Sequence, residues 1–366
     1  MSSEAVEWEE LRPIAAAGGV APLLYAVLAG RELAPLALET WLQQAFTACY
    51  ARSMFMLVQL EEMLHSFNNA GIPVLLLKGA ALIVTVYRQA GLRPMTDLDL
   101  LVRQADVARA IALLGSLGFT PLHHDPRMGT AFAYENEIML RGPQSSGVLV
   151  ELHWSLFDSP HHQVHIDMDW FWRTAQPVKV GEADADVLCP EALLLHLCGH
   201  LALHHRGETK LLWKHDIAEV IAHYEATIDW TTVIQRAQQY DLVTPLQEIL
   251  PACAQEWGVA IPAGVVSAVC ELEPTARERR ALTRLAAAHG SVAGRFWTDI
   301  AGLPGWRTRA GYAWENLFPS ANFMRSRYTV HAPYLVPLYY PYRWLVALRS
   351  ARPARARRTT RSRSWP

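Results

Sequence analysis

With 366 residues, 51% of them hydrophobic and 10% aromatic, the chain is long enough for two domains or one large one, and its composition excludes a disordered polypeptide. The net charge of −2 provides no overall attraction to nucleic acid or to a membrane surface. The charge is uneven, however: Glu4, Glu7, Glu9 and Glu10 open the chain, and the stretch after Glu315 is rich in arginine without a single Asp or Glu.

Five scattered cysteines (Cys49, Cys189, Cys198, Cys253, Cys270) form no CxxC pair, so they are expected to be buried thiols of a reducing compartment. The opening MSSEAVEWEE has no basic region leading into an apolar core, and no apolar run reaches the length of a membrane span. The expectation is a cytoplasmic protein with no stable membrane association.

In chain order, residues 1–70 read as a helical segment, with apolar residues at three- and four-residue spacing over Pro22–Leu28 and Leu38–Asn68 and a stop at Gly71. An α/β unit is predicted over 71–180. It begins with a strand at 74–77, a Lys78-Gly79-Ala80 turn opening a helix, a strand at 97–102 and a helix over about Gln104 to Leu117. Thr130 to Arg141 and Val148 to Trp154 follow as a hairpin around Gly142-Pro143 and Gly147. A helical domain over 181–300 opens at Pro190-Glu191 and continues through Leu211–His223 and Trp230–Gln239. Residues 301–350 form a Pro- and aromatic-rich strap whose prolines 333, 337 and 341 should break any long amphipathic helix, and 351–366 form a basic, low-complexity tail expected to be disordered.

Two features carry chemistry. Asp97 and Asp99 sit two apart in an apolar run, so a strand would point both carboxylates to one face, where they repel each other unless a cation lies between them. Glu151 opposes Val150 and Leu152 in another apolar strand and supplies a third carboxylate. Magnesium takes oxygen ligands and is commonly held by a few carboxylates plus substrate phosphates, and two metals can orient an attacking hydroxyl and stabilise departing pyrophosphate. Main-chain N–H groups at Gly79 and Ala80, with the cations Lys78 and Arg93, are candidates for the phosphates. Surface turn residues, an exposed-face Glu151, and Arg88 and Arg93 merely flanking a turn are the alternatives.

These residues resemble the nucleotidyltransferase superfamily typified by DNA polymerase beta, in which a strand, a Gly-containing turn and a helix precede Asp-x-Asp on a strand and an acidic residue on a later one. LKGAALIVTVY (77–87), GLRPMTDLDLLV (91–102), VELHWSL (150–156), Trp213 to Asp216 and Asp229-Trp230 more closely resemble a bacterial family of uncharacterised nucleotidyltransferases, found in natural-product clusters including some for lasso peptides. The resemblance covers about residues 50–250, with a fainter echo at PSANFMRSRY (319–328). It implies an α/β (α+β) fold with a polymerase-beta-like domain and mixed sheet, flanked by N-terminal helices and a largely helical C-terminal domain. It further implies catalytic and metal-binding roles for Asp97, Asp99 and Glu151 and nucleotide contacts from Lys78, Gly79, Ala80 and Arg93. The activity implied is Mg²⁺-dependent transfer of a nucleoside monophosphate from an NTP, ATP foremost, to a hydroxyl-type acceptor such as a small molecule, peptide or protein. This chain departs from the superfamily at the turn, where Lys78-Gly79-Ala80 lacks the serine that would touch a phosphate. Asp216 matches a recurrent Trp-x-x-Asp feature; it could fix nucleotide or acceptor, or form a buried helix–helix salt bridge.

Other signals compete. His196, His200 and His204 share a helix face, a spacing that suits either packing or zinc, and zinc would favour a metal-dependent hydrolase. His161, His162 and His165 lie near Asp158, Asp167 and Asp169, as a polar loop or a metal site. A catalytically silent scaffold protein with the same fold is the alternative to an enzyme.

Overall fold

The structure, a computed structural model, describes residues 8–122, 135–204, 210–288, 292–330 and 332–350. Its strands are β1 (Leu75–Leu76), β2 (Leu98–Leu101), β3 (Thr120–Pro121), β4 (Glu137–Arg141), β5 (Leu149–His153), β6 (Gln176–Val180) and β7 (Ala183–Val187). They form one mixed sheet in the order β3-β4-β5-β2-β1-β7-β6. β1 is antiparallel to β2 and parallel to β7, whereas β2 is parallel to β5. The expected strands at 74–77 and 97–102 are present as shorter ladders. Of the hairpin arm beginning at Thr130, residues 137–141 are strand and 130–134 lie outside the described residues.

Leu75, Leu76, Leu98, Leu100 and Leu101 are all fully buried, because helices cover both sheet faces and no polar alternation is needed. On one face, Met56, Leu60 and Leu64 of α3 (Leu36–Asn69) pack with Leu76, Leu98, Leu100 and Leu152. The first two helices, α1 (Trp8–Gly18) and α2 (Ala21–Leu28), cluster with α3 and with Leu212. On the other face, Leu75, Leu77 and Leu101 meet the helical half. Asp99 and Leu101, two apart on β2, point toward that same face.

The strand β1 leads into α4 (Lys78–Leu82), which continues as a π-helical turn over Ile83–Tyr87, and α5 (Val107–Ser116) follows β2. After β5 come two short helices, α6 (Pro160–His165) and α7 (Met168–Arg173). The helical half then runs through α8 (Pro190–His204), α9 (Leu211–His223), α10 (Trp230–Gln239), α11 (Val243–Trp257), α12 (Ala263–Glu271) and α13 (Ala276–Ala288).

Three expectations change. The sheet does not end at 180: β6 and β7 form a hairpin around Gly181-Glu182, and β7 joins β1, so a boundary at 180 would cut this hairpin at its turn. Gly181 has φ +58°, which suits glycine in a two-residue hairpin loop. Within 301–350 most of the described residues are helical, as α14 (Val292–Gly302) gives way to α15 (Gly305–Leu317), α16 (Ala321–Tyr328) and α17 (Val336–Ser350). The last runs through Pro341, and Pro337 sits in its first turn, where no intrahelical N–H bond is lost. Finally, Cys270 is exposed, whereas the other four cysteines are buried. The tail at 351–366 lies outside the described residues. Among those described, no helix is long and apolar enough to cross a membrane.

Candidate active site

Parallel pairing places Asp99 of β2 directly opposite Glu151 of β5, so the two carboxylates share the face that looks toward the helical half. Asp97 stands just before β2 at its mouth and accepts a hydrogen bond from Thr96 Oγ1 at 3.1 Å. His153, two residues after Glu151, falls on the same face, with Nε2 3.1 Å from Asp99 Oδ1 and 3.6 Å from Glu151 Oε2. Its Nδ1 is 3.1 Å from Glu137 Oε2 but lacks hydrogen-bond alignment.

Into this cluster comes Lys78. Its ammonium lies 2.7 Å from Asp99 Oδ1 and 3.3 Å from Glu151 Oε2, with the backbone left-handed at φ +42°. Such a φ is costly for a residue with a Cβ and persists only where surroundings enforce it.

The electrostatics follow from burial and neighbours. Burial opposes the charge on Lys78, yet Asp99 and Glu151 outweigh it and raise its pKa. Burial likewise opposes ionised Asp99, but Lys78 and His153 hold it well below the ordinary carboxylate range. Burial works against protonating His153 too, and hydrogen bonds to Asp99 and Glu151 lift it to about 9. For Asp97, burial and the negative Asp99 and Glu151 outweigh Lys78 and the Thr96 hydrogen bond and push it up to about 6.

Asp99, Glu151 and His153 each offer a ligand atom, all within 4.8 Å of one another, a spacing that one divalent cation can span. The ammonium already seated between two of them shows that the site is built around positive charge. The cluster lines a cleft of about 420 Å³, whose opposite wall includes His200 and His204 of α8, Lys210 and Trp213.

A family model described as "Uncharacterised nucleotidyltransferase" matches residues 4–258. The chain belongs to that nucleotidyltransferase family. No curated protein matches it. Two solved structures are similar in part: "Crystal Structure of ANT(2")-Ia in complex with adenylyl-2"-tobramycin", at 9% identity and TM-score 0.36, covering 50% of this chain and 96% of that one, and a solution structure of ANT(2'')-Ia, titled an antibiotic-resistance factor, at 10% identity and TM-score 0.36, covering 54% and 97%.

This nucleotidyltransferase brings Lys78, Arg93, Asp97, Asp99 and Glu151 to one cleft. Gly79 and Ala80 are candidates through their main-chain N–H groups, at the start of α4 beside Lys78. The Ala80 side chain is fully buried in the core beneath the sheet. Asp216 is 2% exposed and stands behind the cleft wall, where it accepts from Arg93 Nη2 at 3.0 Å, Arg93 Nε at 3.4 Å and the Tyr87 hydroxyl at 2.8 Å. The Asp216 carboxylate is engaged by Tyr87 and by Arg93, which lies in the segment before β2, so the buried salt bridge it forms is not one between two helices. Arg93 also donates to Pro94 O at 3.1 Å, which braces the approach to β2.

Gly79 is explained by the same arginine. A Cβ there would collide with Arg93 Nη1, which donates to Pro94 O, on a guanidinium that Asp216 holds through Nε and Nη2. Gly79→Ala is therefore expected to destabilise the fold by about 1–3 kcal/mol and to displace Lys78. Thermal denaturation beside a transfer assay checks this; a variant of unchanged stability and activity would show that Arg93 can yield.

Sequence reasoning overlooked two groups. His153 stood inside the quoted VELHWSL, and its two-residue spacing from Glu151 was the available signal. Arg52 of α3 donates to Met95 O and Thr96 O, each at 3.1 Å, and so fixes the segment entering β2; nothing local marks it.

The histidines of α8 stack along the helix, with ring centroids 5.9 Å apart for His196–His200 and 5.1 Å for His200–His204. No third ligand joins them into a metal-binding group among the described residues. His161 and His165 do approach a carboxylate, but it is Asp241, not Asp158, Asp167 or Asp169. Asp241 also accepts from Arg277 at 2.5 and 3.2 Å and from Thr275 at 2.8 Å, so it works as a junction between helices.

Proposed function

We propose that the cleft transfers a nucleoside monophosphate from an NTP, ATP foremost, to a hydroxyl-type acceptor in a Mg²⁺-dependent reaction that releases pyrophosphate. The observation that carries the reading is the in-register pairing of Asp99 with Glu151, with Asp97 at the strand mouth. Asp97, Asp99 and Glu151 would hold the metal, and His153 stands within reach of the same site. When bound, the metal neutralises charge on the phosphate oxygens and orients attacking and departing oxygens.

The chain's own groups do the rest. Glu151, partly accessible at the cleft surface, accepts the proton of the acceptor hydroxyl. Lys78, drawn from its carboxylate partners, binds the triphosphate and takes the place of the absent turn serine. Lys210, across the cleft, adds a second cation, and Gly79 leaves room for Arg93 to brace the turn. Helices α8 and α9 form the acceptor wall, which accommodates a small molecule, peptide or protein group.

Incubation with each α-labelled NTP, Mg²⁺ and candidate acceptors tests the reading, with the Asp97→Asn/Asp99→Asn variant as control. Label transfer by the wild type alone is expected. No transfer from any NTP, together with no metal-dependent nucleotide binding, would overturn it. For Lys78→Ala, nucleotide affinity should fall by roughly tenfold, the worth of one charge-assisted phosphate contact. Unchanged affinity removes Lys78 from that role.

A further inference from the structure

The sheet register sets a histidine among the carboxylates of the cleft, and this bears on the kind of cation they hold. The parallel partner of β5, β2, places Asp99 opposite Glu151, and its antiparallel partner, β4, places Glu137 opposite His153. Glu151 and His153 are two apart on β5, so all four side chains project from one face of the sheet. His153 is 2% exposed, and its ring must find its partners within the protein.

The ring has carboxylates on both sides. Nε2 lies 3.1 Å from Asp99 Oδ1 and 3.6 Å from Glu151 Oε2. Nδ1 faces Glu137 Oε2 at 3.1 Å and has no aligned hydrogen-bond partner. A histidine that ligates a metal through one nitrogen commonly turns the other toward a carboxylate, which fixes the tautomer and raises the basicity of the ligand. Asp99, Glu151 and His153 each present one donor atom, all within 4.8 Å of one another. The Lys78 ammonium seated on Asp99 and Glu151 shows that these oxygens take a cation. Mg²⁺ is suited by oxygen ligands throughout, whereas a nitrogen donor in the set favours a transition ion. The other histidine–carboxylate group, His161, His165 and Asp241, is weaker ground, because Asp241 already accepts from Arg277 and Thr275.

We propose that Asp99, Glu151 and His153 form a resident site for a divalent transition ion of the Mn²⁺ class, with Glu137 orienting the imidazole. Asp97 lies outside this trio and is left to the Mg²⁺ that enters with the triphosphate, an ion that few carboxylates and phosphate oxygens suffice to hold. The inference rests on the nucleotidyl-transfer reading of the cleft and adds to it a nitrogen ligand and a metal preference. His153 is then a ligand, and Glu137 is a positioning residue that acts through it.

The test is Mn²⁺ binding to the metal-free full chain without nucleotide, followed by electron paramagnetic resonance, with pulsed spectra read for nitrogen coupling. One bound ion per chain with an imidazole coupling is expected, and Mg²⁺ should displace it only in large excess. Glu137→Ala should weaken Mn²⁺ binding by about 10–100-fold, the usual cost of removing the partner behind a ligating histidine. His153→Gln should lose the nitrogen coupling and bind Mn²⁺ and Mg²⁺ with more nearly equal affinity. Circular dichroism checks both folds; Glu137 is partly exposed, so its variant and the wild-type spectrum decide the matter if the buried His153→Gln does not fold. Mn²⁺ bound without nitrogen coupling, or only beside a non-hydrolysable ATP analogue, would overturn the inference and leave nucleotidyl transfer standing. So would unchanged affinity in Glu137→Ala, or a coupling that persists in His153→Gln and so places the ion at other histidines. No Mn²⁺ binding with or without the analogue would overturn both readings.

Discussion

Asp97→Asn and Asp99→Asn should both lower transfer by on the order of a thousandfold or more, yet shift metal-free stability in opposite directions. Burial and the negative Asp99 and Glu151 hold the Asp97 carboxyl near 6, above its ordinary value. The folded state therefore binds that proton more tightly than the unfolded chain. The cost of ionising it is full above pH 6 and fades as pH falls toward 4. A neutral amide removes the cost, so Asp97→Asn should gain about 1–2 kcal/mol at pH 8 in EDTA, after allowance for solvent screening. Asp99 is the reverse case. Burial disfavours its charge, but Lys78 and His153 hold its pKa well below the usual range. It stabilises the fold above the ordinary carboxylate pKa, and this is lost as pH falls through the depressed value. Asp99→Asn forfeits that contribution and leaves His153 without its closest anion, a loss of about 2–4 kcal/mol. Denaturation of both variants with and without Mg²⁺ reads the contrast. Should both move stability the same way in EDTA, the charge balance described for the cleft is wrong.

That contrast shows what a sequence can disclose about such a site. Asp97, Asp99 and Glu151 were conspicuous because ionised groups in runs of leucine and valine need a reason to be there. Their type and spacing follow from local chemistry. What could not be read was the partner of each. The pairing of Asp99 with Glu151 depends on β2 and β5 running parallel in a particular register, which is set by packing against helices on both faces. His153 looked like any histidine near a strand end until that register put it against Asp99. The hairpin β6–β7 carried a signal, since VKVGEADADV alternates about a Gly-Glu turn, but its acidic residues gave it a polar look. At the C-terminus, prolines were read as breakers where one sits harmlessly in a first turn and another is tolerated inside α17.

A long-range element of the site is the pair Arg93–Asp216, separated by 123 residues and joining the approach to β2 with α9. Arg93 is 9% exposed and Asp216 2%, so neither charge can recover its hydration if the other is removed. Asp216→Ala should therefore destabilise the protein by about 3–5 kcal/mol, with an uncompensated guanidinium and a Tyr87 hydroxyl deprived of its acceptor. Arg93→Met should be comparably severe, leaving the carboxylate buried with only Tyr87. The double variant Arg93→Met/Asp216→Leu removes both charges and replaces them with apolar volume, so it should recover at least about 2 kcal/mol relative to the sum of the singles. Recovery of stability should not restore transfer, because the double variant lacks the guanidinium that overlies Gly79 and ties Pro94 to the strand entrance. A stable but inactive double variant would show that the pair acts by positioning the turn that carries Lys78. If instead Asp216→Ala costs less than about 1 kcal/mol and leaves transfer intact, the pair is a bystander and the turn is held by Arg52 and the sheet alone.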